Sequence, residues 1–130
     1  MSGHLGSILV VDDDDLLGEL IVEWLEAAGW QVAWASTAAE ALGTLRQTSF
    51  DGIVTDALIL EAGEGEAVIA WIQAHPHTPV IAVSGGFVGG LGLDVARAVN
   101  ARQCLAKPFA RAALLDAVAS HFKKGQGSRG

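Results

Sequence analysis

Short apolar runs alternate along the chain with longer segments in which apolar residues return every three or four positions. The runs are too short for helices and suit buried strands, while the longer segments carry the period of amphipathic helices. Ile8-Leu9-Val10-Val11 reads as the first strand, and Leu16, Leu17, Leu20, Ile21, Trp24 and Leu25 as the inner stripe of a helix that ends near Gly29. Trp30 to Ala35 is a second strand. Thr37 and Glu40 have capping-box spacing ahead of a helix whose inner face is Ala38, Ala41, Leu42 and Leu45. Ile53 to Thr55, Val80 to Val83 and Cys104 to Ala106 supply three further strands. Ala67 to Ala74 and Asp94 to Val99 supply two further helices, the second stopped by Asn100. Leu114, Leu115, Val118 and Phe122 share a face of the closing helix. Five strands alternating with five helices predict one doubly wound α/β domain with a parallel sheet.

The expected division is an N-terminal extension over residues 1–6, a folded domain over 7–122 and a flexible polar tail over 123–130. At 130 residues and 51% hydrophobic content the chain fits a single core. Its 15 acidic residues outnumber 8 basic ones, giving a formal charge of -7, the wrong sign for unaided nucleic-acid binding. The stretch from Ala67 to Leu93 has no charged side chain, yet its Pro76, Pro79 and glycine cluster would strand backbone groups in lipid, so no membrane span is expected. No signal peptide is visible, and a single cysteine, Cys104, asks for no oxidising compartment. A cytoplasmic location is the expectation. Cys104 is read as a small core residue, and His75 and His77 as a solvated loop rather than metal ligands.

In doubly wound sheets a ligand lies beyond the carboxyl ends of the strands. There the sequence places Asp12 to Asp15 after the first strand, Asp56 after the third, Ser84-Gly85-Gly86 after the fourth and Lys107-Pro108 after the fifth. Crowded carboxylates repel one another unless a cation joins them, and hard oxygens in this number suit Mg2+. Asp14 and Asp15 read instead as acidic residues at a helix N-terminus. A few protein oxygens leave open metal positions for a phosphoryl group, whose charge Lys107 and the Ser84 hydroxyl can meet. Asp56 is then the candidate nucleophile.

On these residues the chain resembles a response regulator receiver domain of two-component signalling, of a stand-alone single-domain type with a flavodoxin-like fold. The resemblance is carried by Ile8 to Asp13, Asp51 to Asp56, Pro79 to Gly85 and Leu105 to Phe109. It implies that Asp56 accepts a phosphoryl group from a histidine kinase or histidine phosphotransfer protein, with Asp12 and Asp13 holding Mg2+. It implies too that Ser84 and Lys107 contact the phosphoryl group and that the Leu58 carbonyl completes the metal shell. Output would pass to a downstream protein partner. Pairing through the fourth and fifth helices, as in other receivers, would give a weak homodimer. Such a domain catalyses only its own phosphoryl uptake and loss.

The chain departs from the family pattern in places. Leu60 stands where proline is common, and Cys104 where many receivers carry an aromatic that swings inward on phosphorylation. Five glycines between Gly85 and Gly92 suggest instead that ordering of this segment reports the phosphorylated state. Two rival readings are a small haloacid-dehalogenase-like phosphatase, to which Asp12-x-Asp14 has a superficial likeness, and a binding module that keeps the fold without phosphorylation.

Overall fold

A computed structural model describes residues 5–61, 63–85 and 92–123. Strands β1 (Ser7–Val11), β3 (Gly52–Asp56) and β4 (Val80–Ser84) are buried almost throughout, which is why they read as continuous apolar runs. With β2 (Gln31–Ala35) and β5 (Gln103–Ala106) they form one parallel sheet in the order β2-β1-β3-β4-β5. Helices α1 (Asp15–Ala27), α2 (Ala38–Gln47), α3 (Gly65–Ala74), α4 (Leu93–Ala98) and α5 (Arg111–His121) complete the chain. No helix is long and apolar enough to cross a membrane among the described residues.

Strand alternation divides the core into two layers. Ile8, Val10 and Val54 face α1 and α5, meeting Ile21, Leu25, Leu114, Val118 and Phe122. Leu9, Val11 and Ile53 face the opposite side, meeting Ala41, Leu45, Val68, Ile72 and Val95. From β1 the chain steps outward to β2, then returns across β1 to β3. The carboxyl ends of β1 and β3 therefore flank the point where the winding reverses, where doubly wound sheets keep their ligand crevice.

Two expectations need correction. Leu16 is 81% exposed and Leu20 is also exposed, although both belong to the apolar stripe of α1. That stripe spans too wide an arc. Leu17, Ile21, Trp24 and Leu25 turn toward the sheet, and the residue before each of the first two is rotated about 100° away. Cys104 is exposed rather than part of the core. It lies on the edge strand, on the face opposite Leu105, and only Leu105 of the pair meets the layer under α5. Partial burial still pushes its thiol above the ordinary range. Smaller shifts occur at boundaries, with α3 starting at Gly65 rather than Ala67. A 3-10 turn over Leu58–Leu60 was not anticipated. Asn100 adopts φ 52° just past α4, as its position after the last helical residues suggests.

The start of α2 follows its sequence signal. Thr37 Oγ1 accepts from the Glu40 amide at 3.1 Å, and Glu40 Oε1 accepts from the Ser36 amide and hydroxyl at 2.8 and 2.9 Å. Those donors hold the Glu40 carboxyl below its ordinary range. The favoured form is the charged one, so its stabilisation is present above the unfolded glutamate's pKa and lost as pH falls through the folded value. The stability gap between wild type and Glu40→Gln should therefore be widest near neutrality and close under acid. Urea unfolding across a pH series checks this, and a gap unchanged into acid would remove the charge from the explanation.

Candidate functional site

The acidic pocket begins where β1 stops. The Asp12 amide donates to the Ala35 carbonyl at 3.1 Å, continuing the line of β1-β2 pairing by one residue. Asp12 Oδ1 accepts from the Asp14 amide at 2.8 Å, turning the chain, and Asp14 Oδ1 accepts from Leu17 at 3.1 Å as the N-cap of α1. Asp14 and Asp15 thus serve the helix start. Asp12 is buried, and Asp13 is exposed beside it.

Asp56 is the last residue of β3 and only 6% exposed. Its Oδ1 accepts from the Leu58 amide at 2.9 Å, the first polar contact of the 3-10 turn. Its Oδ2 accepts from Lys107 Nζ at 2.8 Å. The same ammonium lies 3.4 Å from Asp12 Oδ2. Lys107 is aimed by its own backbone, whose amide donates to the Ser84 carbonyl at 2.9 Å just beyond the Ser84 and Ala106 register pair. Ser84 is fully buried at the end of β4.

Carboxylate oxygens of Asp12, Asp13 and Asp56 all lie within 4.8 Å of one another. Burial, the largest influence, raises the Asp12 carboxyl above its ordinary range, and the Asp56 charge adds to the rise, against the Asp14 amide and Lys107. Burial alone would lower Lys107, but its hydrogen bond to Asp56 and the charges of Asp56 and Asp12 outweigh that and raise it. Three carboxylates facing one ammonium leave negative charge uncompensated. The three carboxylates form an acidic cluster that could hold a metal ion, and hard carboxylate oxygens are the donors that Mg2+ takes.

The expected residues Asp12, Asp13, Asp56 and Lys107 are thus brought together, with Ser84 at the adjoining strand end. The Leu58 carbonyl accepts from the Glu61 amide at 3.2 Å within its turn and keeps a second lone pair. Of the glycine segment, residues 86–91 lie outside the described residues. At its far end the Gly92 amide donates to Glu61 Oε1 at 3.0 Å, tying the start of α4 to the loop that follows Asp56. His75 stacks on Trp71 with ring centroids 3.7 Å apart, and its Nδ1 lies 2.6 Å from the Trp71 carbonyl.

Sequence reasoning missed the contribution of Trp34, whose indole Nε1 donates to the Asp12 carbonyl at 2.9 Å. It also missed a groove of about 580 Å3 beside the pocket, lined by Leu16, Leu17, Leu20, Trp24, Pro108 and Phe109. Lys107 lines this groove as well as the acidic pocket. The only advance sign was the excess width of the α1 apolar stripe.

Comparison with known proteins agrees with the geometry. Residues 8–119 match the family model described as response regulator receiver domain. The swarming motility regulation protein RssB of Serratia marcescens is 33% identical over 118 residues, 86% of this chain and 51% of that protein. A response regulator receiver protein of Anaeromyxobacter is 32% identical over 108 residues, 83% of this chain and 45% of its own length. The chain spans about half the length of these curated relatives. Among solved structures, a CheY-like receiver domain protein from Methanospirillum hungatei superposes with a TM-score of 0.81 at 24% identity, covering 97% of this chain and 99% of that one. A receiver domain protein from Clostridium thermocellum gives 0.74 at 28% identity, over 90% and 94% of the two chains. A family match over nearly the whole fold, with an acidic pocket at its winding reversal, means that the chain belongs to the response regulator receiver domains of two-component systems.

Proposed function

We propose that Asp56 is the phosphoacceptor of a two-component phosphorelay, charged by a histidine kinase or histidine phosphotransfer protein. The observation that carries this reading is the meeting of Asp56, Asp12, Asp13 and Lys107 at one strand-end pocket. A carboxylate oxygen of Asp56 forms the new bond to phosphorus as the phosphorus–nitrogen bond of the donor's phosphoimidazole breaks, its electron pair returning to the ring. Asp12, Asp13, Asp56 and the Leu58 carbonyl would hold Mg2+, which supplies charge neutralisation for the phosphoryl oxygens when bound. Lys107 bridges Asp56 and Asp12 and moves its ammonium onto a phosphoryl oxygen, and the Ser84 hydroxyl contacts another.

The donor's histidine must come within bonding distance of Asp56, so the donor's surface has to cover the adjoining rim. The groove over Leu16, Leu20 and Phe109 shares Lys107 with the pocket and is the apolar surface such a donor would cover. A downstream protein then reads the phosphorylated face. This exchange would take place in the cytoplasm, where a lone thiol stays reduced. Incubation with acetyl phosphate and Mg2+, followed by intact mass and site mapping, should give one phosphoryl group on Asp56, lost when EDTA is present. A folded chain that takes up none would favour the phosphorylation-independent binding module.

Leu58 is 51% exposed two residues past the acceptor, and its side chain offers attacking water no hydrogen bond. Leu58→Asn should speed loss of the phosphoryl group by up to about tenfold, the worth of one added hydrogen bond in the transition state. Phosphate release followed in time checks this, and an unchanged rate excludes Leu58 as a barrier to water.

A further inference from the structure

Asp12 and Asp13 are consecutive, yet a carboxylate oxygen of each lies within 4.8 Å of the other and of one from Asp56. In a strand, neighbouring side chains face opposite ways. For both to converge, the peptide joining them must be held out of strand geometry. β1 has ended at Val11, so the sheet ladder does not fix that peptide's carbonyl. Trp34 does, through the 2.9 Å hydrogen bond from its indole to the Asp12 carbonyl. The preceding peptide is gripped from the same place by the Ala35 carbonyl. Register puts Trp34 opposite Val10 and Ala35 opposite Val11, so the end of β2 clamps the first residue beyond β1 on both sides.

Gly18 makes room for the clamp. A Cβ built on it would lie 2.3 Å from Trp34 Cζ2 and 2.8 Å from Nε1. Glycine inside a helix is otherwise an unfavourable choice over alanine, and here it lets the indole lie against α1. Packing alone does not account for Trp34, which is 37% exposed on an edge strand. Its N–H has a specific partner, and that partner is the hinge of the acidic pair.

We infer that Trp34 is a positioning residue for Mg2+ binding, setting the Asp12-Asp13 peptide so that two adjacent carboxylates converge on one cation. The inference rests on the Mg2+ reading of the pocket. It is tested by calorimetric Mg2+ binding to wild type, Trp34→Phe, Gly18→Ala and, as a control at the far end of the same strand, Gln31→Ala. Melting in EDTA separates metal binding from folding. Trp34→Phe keeps an aromatic ring but no donor, and should weaken Mg2+ binding about three- to tenfold, the range for one lost hydrogen bond. Gly18→Ala changes no acid and improves helix propensity, yet by displacing the indole it should weaken Mg2+ binding too. Gln31→Ala should bind as wild type does.

In wild type, the Trp34 indole N–H resonance should shift on Mg2+ addition along the same saturation curve as the Asp13 amide. Wild type that binds Mg2+ while both variants bind equally well overturns the inference and leaves the pocket reading standing. Equal weakening in Gln31→Ala overturns it as well. Wild type that binds no Mg2+ overturns the pocket reading and this inference together. If Trp34→Phe fails to fold, Gly18→Ala and the indole resonance decide, and an indole signal indifferent to Mg2+ refutes the assignment.

Discussion

Asp56→Asn should leave the chain folded and take up no phosphoryl group under conditions in which the unaltered protein takes up one. Asparagine preserves the shape of the side chain, and its amide oxygen can still accept from the Leu58 amide as Asp56 Oδ1 does at 2.9 Å. The other end changes character. Where Oδ2 accepts from Lys107 Nζ at 2.8 Å, the variant sets an amide NH2 against an ammonium, two donors with no acceptor between them. The neutral amide is no nucleophile toward phosphorus, so transfer is lost at the chemical step. Removing one of three clustered carboxylates also weakens the cation site, and relieves Asp12 of the neighbouring charge that helps raise it. Intact mass after acetyl phosphate and Mg2+ checks the outcome. Phosphoryl uptake by the variant mapped to Asp12 or Asp13 would show that the nucleophile had been misassigned, since both remain in the pocket.

Much of this pocket was legible because burial and position coincide. β1, β3 and β4 have neighbours on both sides and helices on both faces, so their sequences are continuous apolar runs and their ends are sharp. A charged residue after such a run has to stand at the strand's mouth, which located Asp12 and Asp56, whereas Lys107 follows the short apolar segment of the edge strand β5. What the sequence could not deliver depends on pairings far apart in the chain. Lys107 reaches Asp56, 51 positions away, only because β5 lies beside β4 and its backbone continues the β4-β5 register. Trp34 reaches Asp12 only because β2 pairs with β1 in one register among several that alternation would allow. Cys104 was misread for a related reason. A short apolar strand looks the same whether it lies at the centre of a sheet or at its edge, and β5 is an edge. The 3-10 turn after Asp56 is three residues long, too short to impose any period.

That turn makes Leu60→Pro a substitution expected to destabilise the fold, although proline is common at this place in the family. Leu60 is completely buried in the layer under α3, against neighbours such as Val68. Its amide donates to the Ala57 carbonyl at 3.1 Å, closing the turn. Proline has no N–H to give, which forfeits about 1 kcal/mol, and its smaller ring leaves part of the leucine volume empty, at a cost of about 2 kcal/mol. The surroundings cannot settle to relieve this. Gly65 packs so tightly on the turn that a Cβ there would lie 2.4 Å from the Leu60 Cα, so the first turn of α3 fixes the backbone from above. The expected loss is about 3 kcal/mol, or roughly 10 °C in melting temperature for a domain of this size. Leu60→Met, which keeps the amide and nearly the same volume, should lose less than about 1.5 kcal/mol. The turn also carries the Leu58 amide that holds Asp56 Oδ1, so Leu60→Pro should slow phosphoryl uptake from acetyl phosphate even below its melting temperature. Melting curves and uptake rates for the pair of variants measure both effects. A Leu60→Pro chain as stable as Leu60→Met would mean that the turn can adopt a second backbone path, one in which neither the Ala57 hydrogen bond nor the buried leucine is needed.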